Sequence, residues 1–169
     1  MRITLLLRSI FFVILIPGTV AGYVPLRIAR AGGAVWRAPA ATLSNLAPAL
    51  LLAAGVAVLL TSVWEFFAAG RGTLAPVDPP KELVVSGLYR FTRNPMYNGV
   101  LAIVLAQAWL FRNAALIAYS GALIVIFTLF VRFHEEPWLE RTFGDSYRAY
   151  RRAVPRWGFT FRSYRAGSS

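Results

Sequence analysis

The chain has 169 residues, 57% of them hydrophobic, and a formal charge of +11 from 18 Lys and Arg against 7 Asp and Glu. That composition is too apolar for an ordinary soluble domain and points to an all-α integral membrane protein, in which a positive excess reads as topology and attraction to anionic lipids rather than nucleic-acid binding. With no Cys and the single His134, a disulfide framework, a Cys nucleophile and a multi-His metal centre are excluded, and no metal is expected.

Four apolar stretches follow in chain order, at about Ile3–Ala21, Ala47–Ala69, Pro95–Phe111 and Ala114–Phe133. Each approaches the roughly 17 to 25 residues that span a bilayer. The first contains "GTVAG", which resembles a signal-peptide cleavage site. The interrupting Arg8 and the length of the run favour a retained helix. Four spans place Arg2 and Arg8, the second loop and the tail on one side. That side carries 14 of the 18 Lys and Arg, so both termini are expected to be cytoplasmic, in the inner or plasma membrane if the chain is bacterial.

The connection between the second and third spans, residues 70–92, is long for a structureless loop and is expected to fold over a site. Its "GRG", with Gly70 and Gly72, is a weak phosphate-loop signal and reads first as a flexible helix exit. Glu65, near the end of the second span, either pairs with an Arg or lines a cavity.

"RNPMYNG", residues 93–99, opens the third span. Asn94 suits an N-cap and Pro95 the first helical position. The exposed N–H groups of a helix start attract anions, and Arg93 adds a planar charge. Tyr97 projects from the first turn, and Gly99 allows a backbone or a ligand close approach.

The loop between the third and fourth spans is essentially Arg112–Asn113, so the two spans form an antiparallel hairpin. This brings "RNPMYNG" beside "HEEP", residues 134–137. Glu135 and Glu136 then either pair with neighbouring Arg or recognise a cation or hydroxyls. An anion-accepting helix start beside two carboxylates suits a free amino-acid moiety, and S-adenosylmethionine is one ligand that carries one. Beyond Glu136, Trp138, Leu139, Phe143, Tyr147, Tyr150 and Val154 recur at helical spacing with Arg between them. That pattern predicts an amphipathic interfacial helix, whole or broken at Gly144, closing over the site.

"GLYRFTRNPMYNG" followed by "EEPWLERTFGDSYRAYRRAVPRW" resembles the superfamily of isoprenylcysteine carboxyl methyltransferases and phospholipid N-methyltransferases over residues 70–158. The resemblance implies one domain over 1–169, with two N-terminal spans (1–69), a cofactor-binding catalytic region (70–158) and a tail (159–169). It implies S-adenosylmethionine as methyl donor and a lipid-like or other hydrophobic substrate entering from the bilayer. Carried over residue by residue, it assigns cofactor binding to Arg93, Asn94, Pro95, Tyr97, Gly99, Glu135 and Glu136, and to Gly70 and Gly72 more loosely. Asn94 stands where the isoprenylcysteine branch has His, and with Pro137 it is more similar to the phospholipid branch. The acceptor atom (N, O or S) and the oligomeric state stay open. Tyr97, Tyr89 and Glu65 are the candidates for a catalytic base, if one is needed. The alternatives are an NADPH-dependent sterol-type reductase and a non-enzymatic membrane adaptor.

Overall fold

The computed structural model describes residues 16–33, 43–70 and 83–164. Among these residues there is no strand. Helices α1 (Val24–Ala31), α2 (Leu43–Gly70), α3 (Pro95–Phe111), α4 (Ala114–Phe130) and α5 (Glu136–Ala153) are joined by short turns, with π-helical turns at Thr19–Tyr23 and Val131–Glu135.

Most of the first apolar stretch lies outside the described residues. Its end does not stop at Ala21: residues 16–18 are helical and lead through the π turn into α1, which runs on to Ala31. The extension is amphipathic. Ala21, Pro25 and Ala29 recur every four residues and are buried, while Arg27 and Arg30 are exposed. Small side chains on the buried stripe let α1 lie close to α3 and α4, where Ala29 packs with Ala108 and Leu116. Two polar side chains reach the π turn from the bundle. Gln107 donates to the Ala21 carbonyl at 2.6 Å, and the Tyr119 hydroxyl donates to that of Val20 at 3.0 Å.

Helices α2, α3 and α4 are apolar on all faces, as expected of segments with hydrocarbon on one side and neighbours on the other. Two described helical segments are long and apolar enough to cross a membrane: Ser44–Glu65, and the continuous stretch Ala114–Ala153, whose apolar part is α4. The 17 residues of α3 fall just below that length. Exposed Leu50, Leu60, Trp64, Trp109, Ile117 and Val125 form the outer surface.

The largest interface is that of α2 with α3. It closes at Gly55 and Gly99. A β-carbon added to Gly99 would lie 2.9 Å from the Leu59 backbone nitrogen and 3.0 Å from the Gly55 carbonyl oxygen. Backbone can yield little there. Gly99→Val is therefore expected to cost about 1–3 kcal/mol through overpacking, measurable as a lowered unfolding temperature in detergent.

The α3–α4 connection is as tight as its two residues require. Arg112 adopts the left-handed conformation (φ 47°), and the Asn113 side chain caps α4 by accepting from the Leu116 N–H at 3.1 Å. The hairpin sets the start of α3 beside the end of α4.

Candidate functional site

The site grows from that juxtaposition. Tyr97, on the first turn of α3, donates its hydroxyl to Glu135 at 2.6 Å. Its ring lies against Phe127 of α4, with centroids 4.7 Å apart, and the edge of Trp157 at 6.3 Å. One residue further along, Glu136 is buried and fully engaged. Arg93 donates to its Oε1 at 2.7 Å, and Arg156 grips both oxygens at 2.7 Å each. The Arg93 guanidinium also reaches the Tyr147 hydroxyl at 3.2 Å. Its Nε is buried and has no hydrogen-bond partner among the described residues.

The two adjacent glutamates therefore have different electrostatics. Burial alone would raise the Glu136 carboxyl. The hydrogen bonds from Arg156 and the charges of Arg93, Arg156 and Arg151 outweigh it and hold the carboxyl below the ordinary value. At Glu135 burial wins and the carboxyl is raised, with the Tyr97 hydrogen bond and His134 opposing and Glu136 adding. Divergent shifts in neighbouring acids mark divergent roles.

The tail closes over these groups. Helix α5 breaks at Gly144 (φ 54°), and its Tyr147 and Tyr150, with Val154 just past its end, pack with Leu83, Val85, Leu139 and Phe143 rather than standing free. The Tyr150 hydroxyl donates to the Tyr89 carbonyl. Past α5 the chain runs back along residues 90–93. The Arg93 N–H donates to Pro155 O at 3.0 Å, Thr160 N–H to Phe91 O at 2.9 Å, and Tyr164 N–H to Arg90 O at 3.1 Å. An open groove of about 680 Å³ results, lined by Arg93, Arg151, Arg152, Pro155, Trp157 and Phe159 among others.

Several residues singled out in the sequence have other duties. Asn94 is at the N-cap position, but its side chain caps nothing. It donates instead to the Arg156 carbonyl at 3.1 Å, tying the tail to α3. Asn94→Ala is accordingly expected to cost about 0.5–1.5 kcal/mol through a loosened tail, seen as faster proteolysis after residue 153 with α3 unchanged. Pro95 is buried at the first helical position. Gly99 faces α2 at the helix crossing, so its space is taken by backbone.

Gly70 ends α2, and Gly72 lies outside the described residues, as does the stretch 71–82 expected to fold over the site. The remaining part, residues 83–92, does pack under α5. Glu65 accepts the Leu88 N–H at 2.8 Å and holds the Gly87–Arg90 turn. Gly87 is required there: its φ is 47°, and any β-carbon would collide with the Glu65 carboxylate. Burial pushes the Tyr89 hydroxyl far up, reinforced by Tyr150, Glu65 and Glu135, so it stays protonated and serves poorly as a base.

Arg156 and Trp157 are absent from the residues expected at the site. Their signal was "VPRW" at the end of an Arg-rich helix, where one more Arg reads as solvated surface.

A family model described as phospholipid methyltransferase matches residues 43–146, more than half of the chain. The chain belongs to the phospholipid methyltransferase family. No curated protein and no solved structure matches it. The family implies methyltransferase activity at a membrane, in keeping with the two helical segments long enough to cross one. The matched region of this phospholipid methyltransferase family member runs from α2 into α5 and contains Arg93, Asn94, Tyr97, Glu135 and Glu136. Arg156 and Trp157 lie beyond it.

Proposed function

We propose that this chain is an S-adenosylmethionine-dependent membrane methyltransferase acting on a lipid-like or other hydrophobic substrate that enters from the bilayer. The observation that carries the reading is the meeting, at the start of α3 and the end of α4, of the Arg93 guanidinium, which lines the groove, and a carboxylate held only by Tyr97 among the described residues. An amino-acid end needs both. The Arg93 guanidinium would hold its carboxylate, and Glu135 its ammonium, with Tyr97 orienting the Glu135 carboxylate.

When bound, S-adenosylmethionine supplies an already activated methyl group. The protein's contribution is then positioning and exclusion of water. The Glu136–Arg93–Arg156 cluster fixes the Arg93 side chain, and α5 with the returning tail covers the site. In this reading four spans place both termini in the cytoplasm. A reporter fused after Ser169 is expected to be active only in that compartment, and a periplasmic or extracellular signal would reverse the topology.

The test of function is direct. Purified protein is expected to bind S-adenosylhomocysteine in calorimetry and to transfer labelled methyl from S-adenosylmethionine into a total lipid extract. Absence of binding by folded protein would refute the reading. Binding without transfer into lipid would refute the substrate class.

A further inference from the structure

The segment after α5, whose Phe159 also borders the groove, carries a feature that the Glu136 ion-pair cluster does not use. The chain turns at Gly158 (φ 69°) and is then fastened on both sides of Phe161. The Thr160 N–H bonds Phe91 O at 2.9 Å, the Arg162 N–H bonds the Thr160 hydroxyl oxygen at 3.2 Å, and Arg90 Nε bonds Tyr164 O at 2.9 Å. Although so fastened, the loop exposes Phe159 at 49% and Phe161 completely. Both flank Thr160, whose N–H faces the protein. Arg152, before the loop, and Arg162, at its end, are exposed.

The depth of the loop is set by its neighbour. Trp157 lies edge-on to Tyr97, on the first turn of α3, where an apolar helix meets the interface. An indole at that level is characteristic of the membrane boundary. A loop that starts there presents aromatic rings beside guanidinium groups, the composition that seats protein on anionic headgroups. Single exposed apolar residues mean little, but a fastened loop that holds two phenylalanines out beside a spanning helix, with cations nearby, matches the chemistry of a lipid surface.

We propose that the Gly158–Arg162 loop is a membrane contact: Phe159 and Phe161 enter the headgroup region of the anionic leaflet, and Arg152 and Arg162 meet lipid phosphates. The contact would press the tail down over the ends of α3 and α4.

The chain has no cysteine, so one introduced thiol reports one place. Phe161→Cys and, as reference, Asp145→Cys, whose side chain is 97% exposed on α5, are each labelled with a nitrobenzoxadiazole fluorophore. The full chain is reconstituted into phosphatidylcholine vesicles containing phosphatidylglycerol and a nitroxide-bearing lipid. Quenching at position 161 is expected to exceed that at 145 several-fold, and to weaken when phosphatidylglycerol is omitted. Equal quenching at the two positions would overturn the proposal, because the loop would then face water or a soluble partner. Quenching indifferent to phosphatidylglycerol would overturn the role of the arginines. Phe161 packs on nothing, so its replacement leaves the fold intact, and reconstitution needs no cofactor. The outcome is therefore independent of the methyl-transfer reading.

Discussion

Glu136→Gln is expected to destabilise the protein by about 3–5 kcal/mol, the usual result of removing one partner from a buried ion pair. The side chain is 7% exposed and is held by two guanidinium groups, that of Arg93 only 10% exposed. An amide cannot satisfy both. Arg93 would be left charged, buried and short of an acceptor, and the tail would lose its Arg156 anchor. The acid limb of stability carries the same signature. The carboxyl is held below its ordinary value of 4.5 in the fold. Its stabilisation is therefore complete above that ordinary value and is lost as pH falls through the lowered one. Unfolding of wild type and variant in detergent, followed across that range, should show the acid-dependent slope in wild type and its loss in Glu136→Gln. A variant as stable as wild type would mean that the ion-pair cluster contributes nothing to folding.

Glu135→Gln is expected to do the opposite. S-adenosylhomocysteine affinity should fall about 10- to 150-fold, the range corresponding to a charge-assisted hydrogen bond of about 1.5–3 kcal/mol. Stability without ligand should hold or rise slightly. The sign follows from the shift. Burial raises this carboxyl in the fold, so above its unfolded value the ionised form costs folding free energy, which a neutral amide does not. The acid persists at a stability cost, as groups held for function often do. Affinity should also weaken as pH drops through the raised value, because the protonated acid cannot accept an ammonium. Calorimetry on both variants separates the pair: if Glu135→Gln keeps full affinity, the ammonium partner is elsewhere.

The hairpin and its consequence could be read from residues alone. A two-residue connection between apolar helices leaves one geometry, and that geometry brings Tyr97 to Glu135 and Arg93 to Glu136. At Gly144 the sequence leaves a whole and a broken helix both open, and the chain takes the break, in a backbone that glycine adopts cheaply. What was not legible depended on the tail's path. Asn94 has the side chain of a cap, and nothing local says that it donates to residue 156 instead. Glu135 and Glu136 are the same residue type, and the second guanidinium that sets Glu136 apart, Arg156, arrives from 20 residues away. The first helix was cut short at Ala21 because Arg27 and Arg30 read as loop charges. They are the exposed face of an amphipathic extension whose buried face is made of alanine and proline, too weakly apolar to register as hydrophobic periodicity.

The two bonds into the π turn at Thr19–Tyr23 bear on how the protein is built. Ser62, Ser120 and Thr128 bond the carbonyl four residues earlier in their own helices, so these three hydroxyls are satisfied within α2 and α4. Gln107 and Tyr119 differ. Gln107 has a fallback to Ile103 O at 3.3 Å, but its shorter bond, like that of Tyr119, ends on α1's approach. Both donors sit on the α3–α4 hairpin and reach outward to a backbone that the hairpin itself does not supply. Packing of the turn against the hairpin gives both donors an acceptor, so the approach to α1 is held to α3 and α4 by polar bonds in an otherwise apolar interface.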